Sequence, residues 1–364
     1  MKKSLFLSLT LLSLSKAIQA AENTRLKPLQ AQEVTITTTD GITRTLSEDE
    51  FNAAQNAETH PVAPETTYFG TLKACDSFGS RYSVHFVEGL NSKHDKLAVL
   101  AAGFTGNASP DMYPHAQYLR TLGIDCIFIG RSHDAVPHER VKPGGNIYGG
   151  RWGDALSTVL PGNLGHVVGY LLRPSTWTEF GGPAARIAKE QVPNINRVLD
   201  HPIELEDPNG NKLQFDATTY KKLFSVSQAF GAWEAYEVHR DRTQKGLTSF
   251  DVMVVDSVPL ESPFPVLPGF SKYSFLAALT EAQKPVQTMV VSGDKDTLCS
   301  EADQYKILQA SANNSLSFRC KSAYHIGLFY GNRPQATNNK EERVNGMAAV
   351  FGGLMQRFVK ESTK

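Results

Sequence analysis

The sequence predicts an α/β fold, a mostly parallel central sheet flanked by helices and carrying an inserted cap. Three observations predict it. Residues 96–102 form a continuous apolar run, residues 112–122 carry a helical pattern, and residues 124–129 are apolar again. Strand, helix and strand at this spacing make a βαβ unit, hence a parallel pair buried on both faces. Further strand candidates at 223–226, 250–255, 286–291 and 315–319 continue the rhythm. Between the two groups, residues 135–215 are dense in Gly and Pro and exceed what a crossover needs. They read as an insertion above the strand ends, where lids and substrate walls sit.

The chain has 364 residues, 41% hydrophobic and 20% charged, which suits one large domain with a sizeable core. Lys plus Arg equals Asp plus Glu at 37 each, so no global field draws nucleic acid or anionic lipid. There is no basic run, zinc spacing or RNA-binding signature. Residues 1–20 read as a secretory signal. Lys2 and Lys3 precede an apolar core at 5–14, and Ala17, Ala20 and Ala21 offer small residues for cleavage. That core is well short of the ~20 residues a bilayer span needs, so an exported protein, periplasmic or secreted, is expected. An even set of cysteines in an exported chain favours two disulfides. Cys299 and Cys320 both follow late strand candidates and are expected to pair, leaving Cys75 with Cys126. Four buried thiols are the alternative.

Residues 21–65 form a polar N-terminal arm, with a Thr-rich strand candidate at 33–39, a short helix at 48–57, and a break at Pro61 and Pro64. The domain proper is 66–364. Residues 68–74 and 82–87 alternate as a hairpin or meander. The βαβ unit follows, its helix turning Tyr113, Ala116, Leu119 and Leu122 to one face. Inside the insertion, 164–172 and 183–199 are helical patches. Pro208, Asn209, Gly210 and Asn211 turn a β-hairpin between 203–205 and 213–215. Pro259, Pro263, Pro265 and Pro268 make 259–270 a loop, and residues 346–359 close the chain as an amphipathic helix.

Within 222–233 an apolar run ends at Ser227, with small residues, Ser225 and Ala229, two positions to either side; helix formers follow at 233–238. Strand, sharp turn and helix can hold a serine on a strained corner with its hydroxyl exposed. A serine after a strand is also an ordinary helix N-cap. The other strand-end loops favour the first reading. In open α/β sheets the C-terminal strand ends meet on one edge, so Gly103, Phe104, Ser227, Asp296 and His325 converge there. A serine hydroxyl needs an imidazole to take its proton, and the imidazole needs a carboxylate to hold its tautomer. The developing oxyanion needs two fixed N–H donors, for which the amides of Phe104 and Gln228 are candidates.

With these pieces in place the chain resembles the α/β-hydrolase superfamily. The matching segments are residues 102–106 and 129–132 after successive strands, Ser225 to Ala229 as the elbow, 293–296 as the acid loop and 324–329 as the histidine loop. The resemblance covers about 66–134 and 216–364, with Ser and Ala where the elbow usually has glycines. It implies a serine nucleophile, the chain order Ser, Asp, His, no metal and no organic cofactor. The expected reaction is hydrolysis of a carboxylic ester, small-molecule or lipid, through an acyl-enzyme: Ser227 attacks, His325 takes the proton and Asp296 orients His325. A peptidase or amidase with the same triad, and a non-catalytic binding protein on the same fold, are the alternatives. Asp256 and Asp294 are further candidates for the acid, and Ser225 for the nucleophile. Each Asp also suits a turn or cap.

Overall fold

The computed structural model describes residues 28–63, 67–75, 81–102, 108–130, 177–179, 182–260, 275–296, 299–323 and 339–363. The expected export signal and the helical patch at 164–172 lie outside them. The arm supplies β1 (Val34–Thr38), β2 (Thr43–Thr45) and α1 (Glu48–Gln55). Ser47 opens α1 with a reciprocal capping box to Glu50. β3 (Thr67–Lys73) and β4 (Arg81–Val87) form the expected antiparallel hairpin. β5 (Lys96–Ala101), α2 (Ala108–Arg120) and β6 (Asp125–Ile129) form the βαβ unit. α3 (Pro183–Arg186) runs through a π-helical turn into α4 (Val192–Asp200), and β7 (Ile203–Glu206) pairs with β8 (Lys212–Phe215) as a hairpin. The second half alternates strand and helix: β9 (Lys222–Gln228), α5 (Phe230–Gln244), β10 (Val252–Asp256), α6 (Phe275–Thr280), β11 (Gln287–Gly293), α7 (Glu301–Ala310), β12 (Leu316–Cys320) and α8 (Asn339–Ser362).

All the described strands share one twelve-stranded sheet in the order β2-β1-β12-β11-β10-β9-β5-β6-β4-β3-β7-β8. The sheet is mixed rather than mostly parallel. The run from β6 to β12 is parallel. The pairs outside it are antiparallel. Hairpin strands explain the difference: the arm extends one edge, while β3–β4 and β7–β8 extend the other, and a short turn can only reverse the chain. The β7–β8 hairpin, read from sequence as part of a cap, joins the sheet where Glu206 pairs with Phe69.

The parallel strands are apolar on both faces because each face meets its own helical layer. Leu97, Val99, Leu223, Met253 and Val290 pack under α4, α5, α6 and α7. Ala98, Leu100, Phe224, Val226, Val254 and Val291 pack against α1, α2 and α8. No helix among the described residues is long and apolar enough to cross a membrane.

Neither expected disulfide forms. Cys126 aligns with Val87, which aligns with Thr67 at the start of β3, and Cys75 lies beyond the other end of that strand. At ~3.3 Å per residue the two are on the order of 25 Å apart, far beyond disulfide reach. Cys320 shares the α8-side core with Phe318, whereas Cys299 immediately precedes α7 on the opposite face. A reductant is therefore expected to leave the melting temperature unchanged within about a degree. A native bridge is worth roughly 2–5 kcal/mol, so a fall of several degrees would reinstate one.

Candidate active site

β9 carries both candidate serines, and neither reaches the corner. Ser225 lies mid-strand, aligned with Val99 and Met253, buried, and its hydroxyl has no hydrogen-bond partner among the described residues. Ser227 is aligned with Ala101 and Val255. It is 1% exposed, and among the described residues its hydroxyl reaches only the Val254 carbonyl at 3.5 Å.

The chain turns two residues later. Ala229 adopts φ 45°, ψ −112°, and α5 starts at Phe230. A non-glycine residue so placed costs about 1–3 kcal/mol and persists only where its surroundings over-determine it. They do so here. The Ala229 N–H donates to the Asp256 carbonyl at 2.8 Å, and the Ala232 N–H returns to the Ala229 carbonyl at 3.1 Å. Gly231 lets α5 approach β5: a Cβ there would stand 2.4 and 2.6 Å from the carbonyl oxygens of Ala101 and Ala102. The strained strand-to-helix corner is thus built as an elbow with Ala229 at its apex and Ser227 and Gly231 as its flanks. The sequence reading places it two residues too early, and Ser227 sits about 6–7 Å of strand behind it.

The helix N-terminal amides lie beyond the corner and not at Gln228. Gln228 is a strand residue aligned with Asp256, wholly buried, so its amide is not at a helix N-terminus. The unpaired-turn donors of α5 begin at Phe230. The Phe230 ring packs on Trp233 with centroids 4.4 Å apart, and the Trp233 indole donates to the Pro259 carbonyl at 2.8 Å. One signal in the sequence could have located the apex. Gly231 is the one glycine between 222 and 233, and the closest helix–strand approach needs a glycine two residues past the corner.

The acids sit on the neighbouring loops. Asp296 lies just beyond β11, 4% exposed, its Oδ1 accepting the Cys299 N–H at 3.2 Å. Asp294 is turned toward β12: its Oδ1 accepts the Ser322 N–H at 2.6 Å and its own N–H donates to the Cys320 carbonyl at 2.9 Å. It serves as a strut between β11 and β12. Asp256 ends β10 beside the corner. Its Oδ1 accepts the Ser257 hydroxyl at 2.9 Å, and its Oδ2 has no partner among the described residues. Burial holds the Asp256 carboxyl well above the ordinary carboxylate range; the Ser257 hydrogen bond opposes this and the Asp296 carboxylate adds to it. Phe104 and His325 lie outside the described residues.

A run of parallel central strands, helices on both faces and a strained corner between β9 and α5 reproduce the architecture the resemblance implies. The described residues form an α/β fold around a mixed sheet. No family model matches the chain, and no curated protein matches it by sequence. Solved structures to which this chain is similar include an esterase/lipase from an uncultured bacterium, at TM-score 0.44 and 10% identity over 86% of this chain and 90% of that one. An esterase from Pyrococcus furiosus has TM-score 0.43 and 13% identity over 84% and 98%. An α/β serine hydrolase without a lid from Xanthomonas campestris has TM-score 0.39 and 14% identity over 83% and 97%.

Proposed function

We propose that the carboxyl edge of this hydrolase-fold sheet binds a small carboxylic-ester ligand and does not convert it through a serine acyl-enzyme. One observation carries the reading: Ala229, with no hydroxyl, occupies the apex where the fold presents its nucleophile. The corner still offers an acyl carbonyl the N-terminal amides of α5, and Asp296 remains buried in the loop beyond β11. Ester binding needs only the former. Acyl transfer needs an oxygen that Ser227 would have to supply from inside β9.

Two measurements test this. Intact-mass analysis after fluorophosphonate treatment is expected to show no adduct, and p-nitrophenyl butyrate no burst of p-nitrophenol. Ethyl esters of short-chain acids are expected to raise the melting temperature saturably and to be recovered intact by NMR. An adduct on the Ser227 peptide, lost in Ser227→Ala, would restore the hydrolytic triad of Ser227, Asp296 and His325. Absence of any saturable shift would remove the binding function.

A further inference from the structure

β9 and β10 are apolar on the α8 side until their last residues. Phe224 and Val226 on β9, and Val252 and Val254 on β10, pack in that core. Strand alternation puts Gln228 and Asp256 next on the same face. The two are in register on adjacent strands, at the carboxyl edge where open α/β sheets bind ligands. Gln228 is wholly buried and Asp256 is 1% exposed. Among the described residues neither Nε2 nor Oε1 of Gln228, nor Oδ2 of Asp256, has a hydrogen-bond partner. Neighbours in register, they do not bond each other.

Burying an amide and a carboxyl unpaired is costly, and native interiors hold few such groups. Here they stand together and define what a partner must carry. The Gln228 amide offers N–H donors and a carbonyl acceptor, and exchanging its O and N leaves that set unchanged. Burial keeps the proton on the Asp256 carboxyl, and Ser257 donates to Oδ1 at 2.9 Å, so Oδ2 carries the remaining O–H. An ester group has acceptors only. It can take an N–H from Gln228 and the O–H of Asp256, but it leaves the Gln228 carbonyl unpaired. A hydroxyl both accepts and donates, and it satisfies that carbonyl as well.

We propose that Gln228 and Asp256 form a hydroxyl-binding subsite, and that the ligand class is the 2-hydroxy carboxylic ester. This rests on the reading of the carboxyl edge as an ester-binding site and names the ester it takes. Chain geometry sets the spacing. Gln228 immediately precedes Ala229, and the α5 amides that would meet the ester carbonyl begin at Phe230. Hydroxyl and carbonyl must therefore sit on neighbouring carbons of one small ligand.

The experiment compares three ethyl esters on the full chain by saturable thermal shift and NMR titration. Ethyl lactate carries the hydroxyl, ethyl propionate lacks it, and ethyl 2-methoxypropionate keeps the oxygen without its proton. Ethyl lactate is expected to bind at least about tenfold more tightly than either, because a site built to pair a hydroxyl discriminates strongly against its absence. In Gln228→Met, of nearly the same side-chain length and checked for folding by circular dichroism, the three are expected to bind alike. Equal binding of ethyl lactate and ethyl propionate to wild type overturns the proposal, and this arm decides if Gln228→Met fails to fold. So does a methoxy ester that matches ethyl lactate, or a preference that survives in folded Gln228→Met. No saturable shift with any of the three would strike the ester-binding reading itself, so the two failures are distinguishable.

Discussion

Gly231→Ala is expected to destabilise the protein by at least about 3 kcal/mol, against the 5–15 kcal/mol total stability of an ordinary domain. On helix propensity alone the substitution would stabilise by roughly 1 kcal/mol, since Gly231 is the second residue of α5. Packing decides the sign. The new methyl would stand 2.4 and 2.6 Å from the carbonyl oxygens of Ala101 and Ala102 and 2.7 Å from the Ala101 carbonyl carbon, all of them backbone at the end of a central strand. Relief requires α5 to withdraw by on the order of 1 Å. That helix buries Phe230, Trp233, Tyr236 and Val238 at once, so the displacement opens voids along its length. Gly246→Ala is the control. It has φ +67° but nothing within 4 Å of its missing Cβ, so only the backbone term of about 1–2 kcal/mol applies. Urea unfolding of both variants checks this, and a Gly231→Ala variant as stable as Gly246→Ala would refute the close helix–strand contact.

Most of the parallel sheet was legible because burial on both faces leaves continuous apolar runs, as in β5, β6, β10 and β11. The hairpin across Asn209 and Gly210 was legible from its turn chemistry. Its membership of the main sheet was not, since β7 touches β3 at a single register pair, Phe69 with Glu206. The elbow was legible as a stretch and misplaced by two residues. Ser227 stands out chemically, while β9 continues through the polar Gln228, and only tertiary contact sets where it ends. Gln228 stays in the sheet because Asp256 lies in register beside it, and the turn comes where Gly231 can meet β5. The disulfides failed for a related reason. Chain position gives neither the face of the sheet nor the end of the strand that a cysteine occupies.

That same register puts a buried acid beside the corner, and its titration is expected to govern how stability depends on pH. The unfolded-state carboxyl of Asp256 ionises near pH 4, whereas burial in the fold keeps the proton on to a much higher pH. Between those two values the native state binds one more proton than the unfolded state, so the contribution of Asp256 to stability falls as pH rises. Below pH 4 both states are protonated and the contribution is full. Other carboxyls run the opposite way: hydrogen bonds from Arg44 pull Glu50 down to about 2, so its contribution is present above the usual carboxylate range and lost as the pH falls toward 2. The difference between wild type and Asp256→Asn cancels such background. The amide keeps the shape and the Ser257 acceptor while removing the titration. Urea midpoints are therefore expected to coincide near pH 4 and to diverge upward in pH, with Asp256→Asn the more stable by pH 8. Each unit by which the folded-state pKa exceeds the unfolded one adds about 1.4 kcal/mol to the gap. A difference that stays flat from pH 4 to 8 would mean that Asp256 ionises in the fold as it does in water. The carboxyl would then be reached by solvent or by a cation, and the dry, neutral acid beside the corner would go with it.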